Sequence, residues 1–274
     1  HVKSEKSSCY CSPQKIINDR IMLFVRKNFH FAREILAIIL LAPIITGCFH
    51  LSENSRRIRP WPENPFYWQY KGKPVLLLGG SGEDNLFNHT DIDGEPLFAH
   101  LDRLRAAGGN YVRNTMSDRD KGNAYAFTRR GDRFDLNSFN GEYWKRLEAF
   151  LKLAAERDII VQIELWDQWD LSGDNWAQHP FNPLNNINYT AGQSGLLTDI
   201  PFSPSEEPTA HNFFHTVPGL ENNTRVLPHQ EAFVDRVLEI SLPFPNVLYC
   251  INNESGEPPE WSEYWAERIH RRAS

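Results

Sequence analysis

The chain has 274 residues, 41% of them hydrophobic and 23% charged, a balance that excludes a disordered or fibrous protein and suffices for one large core. Its formal charge of −6 argues against a nucleic-acid partner, which would select a basic face. Four cysteines, Cys9, Cys11, Cys48 and Cys250, are too few and too scattered for a disulfide framework, whereas eight tryptophans are an excess that calls for a cause.

Residues Ile35 to Ile45 form an apolar run, shorter than the roughly 20 residues that span a bilayer and suited to the h-region of a signal peptide. Arg26, Lys27 and Arg33 precede it as the positive region. The run closes on Ile45-Thr46-Gly47-Cys48, which resembles a bacterial lipobox: cleavage before Cys48 would free its thiol to carry diacylglycerol. A buried helix with a chance cysteine is the competing reading, and Pro43 and Gly47 disfavour it. Met22 then reads as the start, which makes 1–21 an upstream segment, 22–47 a lipoprotein signal peptide and 48–63 a polar tether. Phe49 after the cysteine favours the outer membrane if the cell is Gram-negative. The expected location is the cell envelope, with membrane contact through the lipid anchor alone.

A folded domain is expected over 64–274. Phe66 to Val75 reads as a hairpin turned at Lys71-Gly72. It feeds Val75-Leu76-Leu77-Leu78-Gly79-Gly80, an unbroken apolar run suited to a strand buried on both faces. The first helix, about 95–107, sets Leu97, Leu101 and Leu104 on one face and ends at Gly108-Gly109. The second strand is Asn110 to Thr115. The second helix, Glu142 to Arg157, has the cleanest helical spacing, through Leu147, Phe150, Leu151, Ala154 and Ala155. The third strand is Ile159 to Trp166, and after a helix over His229 to Ile240 comes the fourth, Val247 to Asn252. The last helix, Pro259 to Arg271, carries Trp261, Tyr264, Trp265 and Ile269 at core spacing.

Strands alternating with helices imply an α/β fold with parallel pairing and right-handed crossovers, hence a barrel or a doubly wound open sheet. Gly79-Gly80-Ser81-Gly82 leads into Glu83-Asp84, which would repel the phosphate that an open sheet of this kind binds. The expectation is therefore a (β/α)8 TIM barrel. The sequence supplies about four of its eight units, so it reads as the N-terminal part of a longer product rather than as a half-barrel with open edges.

In such a barrel the chemistry sits at the C-terminal ends of the strands. Glu254 follows the fourth strand directly and is the candidate general acid/base, the competing use of Asn253-Glu254 being a polar helix start. Arg113 and Asn114 end the second strand. The loop after the third strand places Trp166, Trp169 and Trp176 within eleven residues, interleaved with Asp167 and Asp170. Indole faces stack on pyranose rings while carboxylates and amides, including Asn185 and Asn186, bind hydroxyls; the competing reading staples the loop to the barrel. Asp84, Asn85 and His89 after the first strand and Glu164 on the third fall near the mouth as binding candidates. His179, His211, His215 and His229 have spacings more often met in hydrogen-bonded histidines than in metal ligands, so neither a metal nor a cofactor is expected.

Together Tyr70-Lys71-Gly72-Lys73-Pro74, Arg113-Asn114, the tryptophan-rich loop and Asn253-Glu254 resemble the retaining glycoside hydrolases of the (β/α)8 clan that includes cellulases and mannanases. Within it they are most similar to cellulase-like bacterial lipoproteins known mainly as a domain of unknown function. The resemblance covers about Asn64 to Arg272. It implies that Glu254 is the acid/base, that Asn253 holds the sugar 2-hydroxyl, that Arg113 supports the nucleophile, and that this nucleophile is a Glu on a seventh strand beyond Ser274. The expected function is retaining hydrolysis of a polysaccharide or oligosaccharide by a monomer, probed at Glu254, Asn253, Arg113, Asn114, Trp166, Asp167, Trp169, Asp84, His89 and Glu164. A catalytically inactive surface carbohydrate-binding or adhesion lipoprotein is the alternative from another class.

Overall fold

The computed structural model describes residues 56–89, 91–202 and 212–274. The signal-peptide and lipidation readings at 22–47 and Cys48, the upstream segment 1–21 and His211 lie outside the described residues. Among the described residues no helix is long and apolar enough to cross a membrane.

The chain opens with an antiparallel meander of β1 (Arg59–Trp61), β2 (Asn64–Tyr70) and β3 (Lys73–Val75). The β2–β3 turn falls on Lys71 and Gly72 as expected, with φ of +50° and +76°, the pair of positive values a two-residue hairpin turn demands. β1 lies inside the segment read as a tether: Arg59 and Pro60 pair with Gln69 and Trp68. Ile58 beside it is buried with Tyr70 and Ile160, and Trp68, Val75, Leu77, Tyr111 and Leu248 pack around them. This cluster plugs the N-terminal end of the sheet that follows.

That sheet is parallel, in the order β4 (Tyr111–Thr115), β7 (Ile160–Asp167), β8 (Val247–Asn253). The expected strand at 75–80 contributes only a parallel bridge from Gly79 to Tyr111, with Asn110 N donating to Leu78 O beside it. Leu76 and Leu78 are 60% and 52% exposed, so the run is not buried on both faces. Counted with that bridge, the order reproduces four consecutive strands of a barrel wall; the described residues do not close it. Its helices are α1 (Leu97–Ala106), α2 (Gly141–Glu156), α5 (Leu227–Ser241) and α6 (Pro259–Ala273). α2 buries Tyr143, Trp144, Leu147, Phe150, Leu151 and Ala154, and Asn140 caps its start by accepting from Glu142 N.

Two insertions depart from the plain alternation. A hairpin of β5 (Phe127–Arg130) and β6 (Arg133–Phe139) stands between β4 and α2, where no strand was expected. Between β7 and α5 runs a long excursion with the short helices α3 (Gly173–Gln178) and α4 (Ala191–Ser194). Its asparagines hold it together: Asn182 Nδ2 donates to Trp176 O and Thr198 O, and Asn186 Nδ2 to Pro180 O and Asn182 O.

Candidate active site

Parallel pairing in register brings the C-terminal ends of β4, β7 and β8 to one side, with Thr115 opposite Glu164 and Asp167 opposite Asn253. Along one face of the sheet runs a polar ladder. Tyr111 OH donates to Gln162 Oε1, and Gln162 Nε2 donates to Glu164 Oε1. Arg113 grips Glu164 with two nitrogens, Nε at 2.8 Å and Nη2 at 2.9 Å, and Nη2 also reaches Asn253 Oδ1 at 2.9 Å. The bond to Glu164 raises the Arg113 pKa above its ordinary value, so this cation is permanent. Asn253 completes the link by donating Nδ2 to Asp167 Oδ1 at 3.2 Å. Its amide is thereby fixed from both sides.

Glu254 is exposed, and its backbone sits at φ +48°. Its Oε2 accepts from Trp169 Nε1 at 2.7 Å. Trp169 is itself positioned: its amide donates to Asp167 Oδ1, and its carbonyl accepts from Asn175 Nδ2. Its ring lies 4.4 Å from that of Phe202, and both are partly exposed, at 43% and 47%. An open aromatic pair, its rings tilted by 34°, therefore flanks the Glu254 carboxylate.

The other expected ligands of a sugar divide differently. Trp166 is buried among Phe181, Phe213, Phe233, Trp261 and Trp265, and Trp176 is fully buried. Trp166 and Trp176 serve as core aromatics that anchor the loop and present no face to a ligand, and of the three tryptophans Trp169 alone is open to solvent. Asn114 is also buried, with Oδ1 accepting from Phe87 N and Nδ2 donating to Thr115 O, so it braces the backbone rather than facing the mouth. Glu164 and Asp167 are buried supports whose carboxylates are taken up by Arg113 and by Arg119 and Asn253. His179 accepts from Phe181 N, His215 faces Glu221, and His229 lies against Tyr189.

Arg119 was not singled out in the sequence, although Ser117-Asp118-Arg119-Asp120 directly after a strand end was a visible signal. Its guanidinium joins three loops: Nη1 donates to Asp167 Oδ2 at 2.7 Å and Asp170 Oδ1 at 2.9 Å, and Nη2 to Asp84 Oδ2 at 2.6 Å. Burial would lower its pKa, and the charges of Asp170 and Asp167 outweigh this and raise it. Asp170 is pushed up to about 7 by burial and then by Asp167, against the opposing pull of Arg119 and Ser117. Burial and the Asp170 charge likewise raise Asp118 well above the carboxylate range. Perturbed acids are candidates for proton transfer. The cavity beside these two, however, holds about 30 Å³, room for water and not for a sugar ring. Asp170 thus belongs to the support of the site. His89 faces Glu83 and Asp120.

Comparison with known proteins agrees with this architecture. A family model described as a domain of unknown function, DUF6298, matches residues 118–273, more than half of the 274-residue chain, and the chain belongs to that family. No curated protein matches it. Among solved structures, a glycoside hydrolase family 5 mannosidase from Rhizomucor miehei is similar with a TM-score of 0.54 at 17% identity, covering 81% of this chain and 54% of that one. A mutant of that enzyme in complex with mannosyl-fructose is similar at 0.55 and 16%, with the same coverage. The chain thus spans about half the length of the structures it matches. At these identities the likeness is one of fold alone, that of part of a TIM barrel.

Proposed function

We propose that this member of the DUF6298 family is a retaining O-glycoside hydrolase with Glu254 as its general acid/base. One observation carries the reading. Glu254 directly follows β8 at the mouth of the barrel wall, exposed, at φ +48°, with Trp169 Nε1 bonded to its carboxylate. A non-glycine residue in that conformation costs about 1–3 kcal/mol, and such strain concentrates where a side chain must be presented rather than packed. In the reaction Glu254 would give its proton to the departing glycosidic oxygen while a second carboxylate attacks the anomeric carbon. It would then take a proton from the water that releases the sugar. That second carboxylate, about 5–5.5 Å away, is assigned to a later barrel strand. Asn253, clamped by Arg113 and Asp167, suits the sugar 2-hydroxyl, and Trp169 with Phe202 suits the apolar face of a ring. The fold likeness to mannosidases supports a polysaccharide or oligosaccharide substrate.

Export and lipid attachment at Cys48 are part of the proposal and rest on the sequence alone. Labelled palmitate should enter the wild-type protein and not Cys48→Ser. For the chemistry, the full-length protein is assayed on aryl mannosides and glucosides beside Glu254→Gln. Loss of one acid/base group lowers the rate by about 10²–10⁴-fold. A drop of that size in kcat with sugar binding retained supports the reading, and unchanged turnover removes Glu254 from the mechanism. Sugar binding without turnover by the wild type would select the carbohydrate-binding lipoprotein instead.

A further inference from the structure

The loop after the Gly79 bridge and the loop after β4 meet through three donor atoms that the proposed sugar site does not use. His89 Nε2 lies 3.8 Å from Glu83 Oε2 and 3.4 Å from Asp120 Oδ2, and one donor from each of the three residues lies within 4.8 Å of the others. Nε2 is shielded from solvent and has no hydrogen-bond partner. An imidazolium paired with a carboxylate would close to about 2.7–2.9 Å on one oxygen. Here the nitrogen stands between two carboxylates and bonds neither, while the two anions add their charges on one spot.

Donors that share a metal ion are held apart by its geometry. Bonds of about 2.0–2.1 Å at tetrahedral angles set neighbouring donors about 3.3 Å apart. The observed 3.4 and 3.8 Å fall near that separation, and the two carboxylate oxygens, within 4.8 Å of each other, draw in to meet the ion. One imidazole with two carboxylates suits a transition metal rather than calcium or magnesium, which take oxygen alone. The His89 side chain is 17% exposed, against 37% for Glu83 and 40% for Asp120, so one side opens to solvent, where water completes the coordination. We propose that Glu83, His89 and Asp120 form a binding site for a divalent transition-metal ion, with Zn2+ the best fit.

The neighbouring residues give the site its role. Glu83 precedes Asp84, Asp120 follows Arg119, and Asp84 and Arg119 are themselves paired at 2.6 Å. An ion bridging Glu83 and Asp120 would therefore clamp the same two loops from the next position along each. The role is structural: it fixes the loops that carry Arg119 to Asp167.

The test titrates the chelator-treated full chain with ZnCl2 at pH 7.5 by calorimetry, with MnCl2 and CaCl2 in parallel. One equivalent of Zn2+ should bind with a Kd in the micromolar range or below and raise the melting temperature. His89→Gln, Asp120→Asn and Glu83→Gln should each weaken binding at least tenfold, and His229→Gln should leave it intact. Glu83 lies at the surface, so its variant keeps the test valid should His89→Gln fail to fold. The proposal is overturned by three results: no binding at millimolar Zn2+, equal binding in Glu83→Gln and Asp120→Asn, or Ca2+ binding as tightly as Zn2+.

Discussion

At Glu254 the backbone carries a strain that packing does not require, since the side chain is exposed and bonded at its tip to Trp169. Glycine adopts the same φ without a Cβ penalty. Glu254→Gly should therefore keep or raise stability, by up to about 1 kcal/mol in urea denaturation, while abolishing turnover. A loss of more than that would make Glu254 a structural residue. Asp170 offers the opposite case, a charge whose burial is costly. Its carboxyl titrates near 7 in the folded chain, well above the ordinary value near 4, so the native state binds this proton more tightly than the unfolded one. Stability from this group therefore falls as pH rises from about 4 to about 7. Asp170→Asn should remove that part of the slope, measured as melting temperature against pH beside the wild type. Arg119→Met leaves Asp167 and Asp170 buried without their cation and should cost about 3–5 kcal/mol at pH 8. At pH 5, with Asp170 protonated, the cost should be smaller.

Elements show where backbone contact rather than side-chain pattern decides the structure. Gly79 approaches β4 so closely that an added Cβ would stand 2.1 Å from Tyr111 O, a distance no shift of a side chain can relieve. Gly79→Ala should break the bridge, lower stability by about 2–3 kcal/mol and release the 80–89 loop, seen as faster amide exchange at Asn110 and Tyr111. Protection equal to wild type would show that the first strand does not depend on this contact. Strands β4, β7 and β8 were legible as short apolar runs, β7 being buried almost throughout, and α2 because its burial follows the helical period from Tyr143 to Ala154. The β5–β6 hairpin was not, since Arg129, Arg130 and Arg133 flank its turn at Gly131 with charge where strands usually alternate. Within the site, the strand-end residues Arg113, Asn253 and Glu254 were readable from position. Which tryptophan faces solvent was not: Trp166 and Trp176 are committed to the core by Phe213, a residue more than 35 positions away.

On the scale of the whole molecule, the parallel sheet has two open sides among the described residues, one along β8 and one along 76–79. The two sides differ in chemistry. Along 76–79, Leu77 packs on the Ile58–Tyr70 plug while Leu76 and Leu78 turn outward, 60% and 52% exposed. Asn110 bonds the Leu76 and Leu78 backbone from the β4 side, and an edge that turns a bare leucine pair outward is a template for another strand. In a closed barrel the later strands would cover both. A polypeptide of residues 48–274 produced by itself should therefore associate at micromolar concentration, read by light scattering after size exclusion. Leu76→Lys with Leu78→Lys should restore monomers with little loss of stability, because charges on an exposed edge oppose pairing without touching a packed contact. If the unmodified polypeptide runs as a monodisperse monomer with one cooperative melt, the open edges are already protected by the meander and α1, and the barrel wall is stable as a half.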